Sequence, residues 1–369
     1  MDQLATSIIE GEDIKQEISN LRNQLGSSGT DISTLQSAIG NMLLDPAGKS
    51  YLNSWFPVHQ LILLVTTALQ RRGVLEWLSK VKCEGHHAEV VKARLEGTGA
   101  WLLQRQEIQD WLESEKSSIL WIHGKGNIHS APLLLWQRAD SCVQLDRGRQ
   151  CSGRYHCPLP WCETFPISSS SRIIDTLSAT HGPSCPVLFF YCNYKEQTRR
   201  EANGILRALL KQISGKATIM DPELVSSYDR AIVKGFDAPL IDASSAESAF
   251  RRALSTFKST YVVIDALDEC EEAERMELVR ALKSHVSSKD FVVKVLLTSR
   301  DEKDLARMLS ETSDIRINAD DTALDIRPFV EIKIEECITN GEILGGKGNA
   351  SPELRQDLVN TLVSKADGM

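Results

Sequence analysis

The chain has 369 residues, of which 25% are charged, and a formal net charge of −8. That length allows two domains or one large α/β domain with a helical preface, and a mildly acidic balance is not built to coat nucleic acid or an anionic membrane. Nine scattered cysteines, an odd number with no secretory signal peptide, read as reduced thiols in a cytoplasmic setting.

The first forty-odd residues carry two amphipathic stripes. Ile14, Ile18, Leu21 and Leu25 form one, and Ile32, Leu35 and Ile39 repeat it after the Gly26-Ser27-Ser28-Gly29 break, with Thr30 or Asp31 available as an N-cap. Each stripe needs a partner, and packing within the chain is the simpler expectation over pairing with another copy. Residues 56–79 continue as apolar, helical material ending near Trp77. Their core, Leu61-Ile62-Leu63-Leu64-Val65, is too short with its neighbours to span a bilayer.

A polar helix is expected over about 104–115. After it, Ile119-Leu120-Trp121-Ile122 reads as a buried strand running into His123-Gly124. A strand entering a glycine loop is what a phosphate site requires, because the loop's N–H groups and the next helix's positive end face the anion. The loop itself reads Gly124-Lys125-Gly126-Asn127 and lacks the GxxxxGK[ST] pattern. Residues 127–167 then break the regular rhythm, with Cys142, Cys151, Cys157 and Cys162, two tryptophans and four prolines. His156 with the last three cysteines suggests zinc, but paired C-x₂₋₄-C knuckles are lacking, Cys157 and Cys162 being the one such spacing; a disordered insertion is the plainer reading.

Regular α/β alternation resumes at Ser168. Ser170 or Ser171 is expected to cap a helix through Ile173, Ile174 and Leu177, followed by the apolar strand Val187–Cys192. A helix near 200–214 should stop at Gly215, and another carries Phe250, Leu254 and Phe257. Tyr261-Val262-Val263-Ile264 then reads as a strand buried on both faces, ending in Asp265, Asp268 and Glu269. Acids there sit where open α/β sheets bind ligands, although an acidic helix start would look the same. Helix 272–286, strand 291–297 ending in Thr298-Ser299-Arg300-Asp301, strand 315–317 and helices at 322–339 and after Pro352 complete the chain. Strands alternating with helices at this pace predict a parallel, helix-covered sheet.

Taken together, EGTGAWLL, SSILWIHGK, VLFFYCNY, YVVIDALDEC, VKVLLTSRD and the IRPFV helix resemble the NACHT-domain STAND NTPases of filamentous fungi, which are nephrocystin-3-like in their N-terminal portion. The resemblance covers about residues 74–126 and 172–369. It implies an α/β fold of the P-loop NTPase kind, with a parallel five-stranded sheet covered by helices and a helical N-terminal region. The implied layout is a helical region 1–80, a core 81–320 with 127–167 as an atypical insertion, and the start of a truncated helical segment at 321–369.

The resemblance also implies a signalling switch. ATP or dATP with Mg²⁺ would control a closed monomer and an open oligomer, in fungal non-self recognition and heterokaryon incompatibility. Partners would be further copies of the chain and death-effector or signalling proteins. Asp265 matches the Mg²⁺-directing acid, acting through water. Asp268 and Glu269 match the acidic pair after it, Glu269 being the stronger candidate to polarise water. Arg300 matches an arginine that senses the γ-phosphate; the plainer reading is an arginine capping a strand end. Gly124, Lys125 and Gly126 remain as the phosphate loop, and Gly97 to Gly99 match a loop near the base. Without the P-loop lysine, nucleotide affinity is expected to fall on the order of a hundredfold or more. The sudden change of composition at 127–167 suggests a retained intron or frame-shifted stretch, although removing it would not by itself restore GxxxxGK[ST]. The alternative function is a catalytically inactive interaction module acting through its N-terminal helices.

Overall fold

The computed structural model describes residues 55–95, 97–124, 169–233, 240–339 and 351–366. The two N-terminal stripes, the phosphate-loop residues Lys125 and Gly126, the Cys142–Cys162 stretch and the glycines at 341–348 lie outside the described residues. No described helix is long and apolar enough to cross a membrane.

The chain divides into two compact units, residues 1–77 with 222–239 and residues 78–221 with 240–369. In the first, helix α1 (Trp55–Leu78), as far as Trp77, meets helix α7 (Pro222–Val233). The Trp77 and Tyr228 rings lie 5.8 Å apart, and the Gln70 amide donates to the Asp229 carboxylate at 3.1 and 3.2 Å.

The second unit is built on five parallel strands: β1 (Ser118–Gly124), β2 (Val187–Tyr191), β3 (Ser259–Asp265), β4 (Val292–Arg300) and β5 (Ser313–Ile317). Their order is β2-β3-β4-β1-β5, and every pairing is parallel, as the alternation of strands and helices predicts. The apolar runs explain it: β2 and residues Thr260–Asp265 of β3 are buried throughout, as a sheet covered on both faces requires. Helices α2 (Cys83–Ala93), α4 (Gln106–Glu113), α5 (Ser169–Thr180), α6 (Ala202–Lys216), α8 (Ala243–Leu254) and α9 (Glu272–Val286) surround the sheet, with a short turn α3 (Ala100–Leu103) before α4. Helix α10 (Lys303–Met308) links β4 to β5, and helices α11 (Ala319–Thr339) and α12 (Pro352–Ala366) follow. These last two share a small core of Val330, Ile334, Ile338 and Val359.

Two polar side chains are buried where the apolar pattern predicts none. Lys294, in central strand β4, donates to the carbonyls of Trp111 and Leu112 at 2.8 and 2.9 Å, the last turn of α4. Its ammonium also lies 5.6 Å from the Tyr261 ring centroid, so a helix end and a π face replace the water it lost. Gln212 of α6 caps the outer edge of β2, accepting from the Phe189 N–H at 3.1 Å and donating to the Phe189 carbonyl at 2.8 Å.

Several boundaries differ from the sequence expectation. Helix α6 passes through Gly215 to Lys216. Ser170 and Ser171 do not cap α5 from outside; they lie in its first turn, buried. Helix α8 ends at Leu254, before Phe257. Strand β4 runs on through Thr298 and Ser299 to Arg300, because β1 pairs with it as far as Gly124↔Arg300.

Candidate functional site

The parallel register brings the carboxyl ends of the strands to one edge: Tyr191 beside Asp265, Gly124 beside both Arg300 and Ile317. Asp265 is the centre of this edge and is 5% exposed. Its Oδ1 accepts the Ser170 hydroxyl from the first turn of α5 and the Thr298 hydroxyl from β4, each at 2.7 Å. Thr298 does a second job. Its Oγ1 accepts the N–H of Ala266 at 3.0 Å, and Ala266 stands in the left-handed region at φ 56°, ψ 47°. A non-glycine residue there is strained, and the chain turns at that point into the 3₁₀ turn Leu267–Glu269.

Asp268 and Arg300 are tied to each other. The Arg300 backbone N–H donates to Asp268 Oδ1 at 3.0 Å and its Nε to Oδ2 at 2.5 Å. The Asp268 side chain is 2% exposed and that of Arg300 46%, so the carboxylate is buried and the guanidinium reaches solvent. This hydrogen bond holds the Arg300 pKa above its ordinary value. Glu269 is more open; it accepts the Tyr194 N–H at 3.3 Å and lies 3.9 Å from the Arg300 guanidinium. Arg300 thus does end a strand, as its plainer reading expected, and it ends it beside both acids.

Gly124 has a packing reason of its own. A Cβ there would lie 2.8 Å from the Ile317 carbonyl oxygen, so only glycine lets β1 and β5 close at this end. The preceding His123 stacks on Trp121 at 3.8 Å and contacts Asp301 and Asp314 through its two ring nitrogens. Its contacts, with that from Arg316, hold the Asp301 carboxyl below its ordinary value against the opposing effect of burial.

The Gly97–Gly99 loop docks on α11. Gly99 has φ 73°, and its N–H and the Trp101 indole both donate to Asp325 Oδ2, at 2.7 and 3.0 Å. From the other side, Arg172 donates to the Thr98 carbonyl at 2.7 Å. Helix α5 is also clamped to α2, since Arg94 donates to Ser171 at 2.8 Å and Asp175 at 2.7 Å, and His87 bridges Asp175 and the Tyr191 hydroxyl.

Five of the predicted residues, Gly124, Asp265, Asp268, Glu269 and Arg300, therefore share one edge. Lys125 and Gly126 lie outside the described residues. Sequence reasoning missed Ser170 and Thr298 as partners of Asp265. The Ser169-Ser170-Ser171 run was read for capping, and a hydroxyl at the start of the helix after a glycine loop was the available signal.

A carboxylate joined by a serine hydroxyl suits a hard cation that takes oxygen ligands, so these residues fit Mg²⁺. A phosphate cradle would fall within 125–168, outside the described residues.

Residues 97–127 and 168–300 match the sequence pattern of the nephrocystin 3 N-terminal family. The two matched blocks flank the atypical stretch and include every one of the five residues above. The chain is also similar to the vegetative incompatibility protein HET-E-1 of Podospora anserina, at 22% identity over 251 residues. The aligned region is 66% of this chain and 15% of that protein's length. With the ordered motifs and the five-stranded parallel sheet that carries them, these matches make the chain similar to the nephrocystin 3 N-terminal family and to a fungal vegetative incompatibility protein.

Proposed function

We propose that the chain is a NACHT-type signalling module, of the kind used in fungal incompatibility, that responds to ATP or dATP with Mg²⁺ at the edge formed by Asp265. The observation that carries this reading is the buried Asp265 carboxylate, held by Ser170 of the helix that follows the glycine loop. Bound Mg²⁺ and nucleotide would supply the charge and the phosphoryl group on which such a switch depends.

The chain's own residues have separable tasks. Asp265 orients the ion, and Thr298 keeps that carboxylate and the following turn in one geometry. Asp268 fixes Arg300 by two hydrogen bonds, leaving the outer face of the guanidinium for an anion. Glu269, 18% exposed at its side chain, is the group placed to orient a water. Because GxxxxGK[ST] is absent, affinity is expected to lie on the order of a hundredfold or more below that of an intact loop. Partners in this reading are further copies of the chain and signalling proteins.

A second reading, a scaffold that binds no nucleotide, is favoured by one observation: Asp268 and Arg300 already satisfy each other without a ligand. Thermal melts with Mg²⁺ and ATP or dATP separate the two. The switch predicts a rise in Tm that vanishes without Mg²⁺ and in Asp265→Asn. A Tm unmoved by saturating nucleotide leaves the scaffold.

A further inference from the structure

Away from the acidic edge, the second unit carries a groove with a chemistry of its own. It has a volume of about 260 Å³ and is walled by α6, α8 and α9. Small residues open it. Ala202 of α6, Ala243 of α8 and Ala281 of α9 stand where longer side chains would close the gap between the helices. Leu206 and Leu278 add an apolar wall.

The polar lining is not paired with itself. Asn203 of α6, Glu247 of α8, and Glu277 and Arg280 of α9 make no side-chain hydrogen bond or ion pair among the described residues. Elsewhere on α9 the opposite holds, since Arg275 is tied to Asp304 at 2.6 Å. The Asn203 Oδ1 is buried and accepts no hydrogen bond, and a buried acceptor costs free energy until a donor reaches it. An apolar wall with a few unpaired polar groups around one groove is the composition of a small-molecule site.

We propose that this groove binds a free apolar α-amino acid. Glu247 and Glu277 come from two different helices and are both acceptors, so they suit the ammonium, with the Asn203 amide oxygen as a further acceptor. Arg280 is the cationic group of the lining and suits the carboxylate, which a guanidinium can hold by paired bonds. Leu206 and Leu278 take the apolar side chain. A simple amine would leave Arg280 without an anion, and a simple carboxylate would leave both glutamates without a cation. A zwitterion satisfies both signs. The proposal does not rest on nucleotide binding.

The test titrates L-leucine into the full chain, without nucleotide or Mg²⁺, and follows Tm. Two parts of the same molecule are run beside it: 3-methylbutylamine, which lacks the carboxylate, and 4-methylpentanoate, which lacks the ammonium. The expected result is a saturating rise in Tm with leucine, each part binding on the order of tenfold or more weaker. Glu277 and Arg280 are exposed, so Glu277→Gln and Arg280→Gln should keep the wild-type Tm when no ligand is present. Glu277→Gln should weaken leucine on the order of tenfold and leave 4-methylpentanoate unchanged. Arg280→Gln should weaken leucine as much and leave 3-methylbutylamine unchanged. The proposal is overturned if leucine leaves Tm unmoved, if either part binds as well as leucine, or if neither substitution changes leucine affinity. A leucine effect that survives Ala281→Phe, whose ring fills the groove, puts the ligand elsewhere and overturns it too.

Discussion

At the scale of single residues, the acidic edge depends on side chains that do little chemistry themselves. Thr298 donates to Asp265 and accepts from Ala266, whose backbone is left-handed. Thr298→Val keeps the shape and removes both bonds, orphaning a buried N–H and taking one donor from a buried carboxylate. The expected cost is about 1–3 kcal/mol, read as a lower midpoint in urea unfolding; an unchanged midpoint would mean that the turn is held from elsewhere. Gly99 makes a comparable demand at φ 73°. Gly99→Ala should cost roughly 1–2 kcal/mol by placing a Cβ in the left-handed region, although the N–H can still reach Asp325. Asp265 itself was legible, because a carboxylate at the end of an apolar run stands out. Its partners were not: serines and threonines are common, and Ser170 meets Asp265 only when α5 packs beside β3.

At the scale of elements, apolar strands were legible and boundaries were not. Strands β1 and β3 have uninterrupted apolar runs, and that of β4 is broken by Lys294 alone; local sequence displays all three. The extension of β4 to Arg300 depends instead on pairing with His123 and Gly124, a neighbour remote in sequence. Gly215 stays helical because the chain needs no left-handed turn there; only Gly97 and Gly99 among described glycines have positive φ. The edge of β2 shows the same dependence on context. Gln212 sits on the buried face of α6 and would read as a polar interruption, yet its amide satisfies both groups of Phe189. Gln212→Leu should cost on the order of 1–3 kcal/mol, since two buried backbone groups lose their partners. Amide exchange should show it as faster exchange at Phe189, and unaltered protection there would refute the edge-capping role. A second tie joins α9 to α10. Arg275 holds Asp304 through paired bonds at 2.6 and 2.8 Å, both side chains being at most 10% exposed. Arg275→Met would strand a buried carboxylate at a cost of about 3–5 kcal/mol.

At the scale of the whole molecule, these buried groups set how stability depends on pH. His285 of α9 is 1% exposed, faces the edge of Phe250, and has no hydrogen-bond partner on either ring nitrogen. Burial, with a smaller push from Arg251, lowers its pKa from 6.5 to about 4. The unfolded chain therefore takes up this proton first. Stability is at its full value above about 6.5 and drains away as pH falls toward 4, by on the order of 3 kcal/mol from this one group. The carboxylates act in a lower window. The hydrogen bond from Arg275 holds Asp304 below its ordinary 3.8, and Asp301 is lowered too; their contribution is present above the unfolded value and is lost only as pH falls through the folded one. Acid should thus weaken the fold in two stages, a histidine stage followed by a carboxylate stage. His285→Leu puts an apolar side chain of similar volume there and should shrink the first stage, to which His86 and His181, also lowered by burial, contribute as well. Melts of both proteins between pH 7.5 and about pH 4.5 should then converge at the alkaline end and part at the acidic end, the variant keeping the higher Tm. Parallel curves across that range would mean that His285 is not buried as a neutral ring, and the acid sensitivity would have to come from His86, His181 and the carboxylates instead.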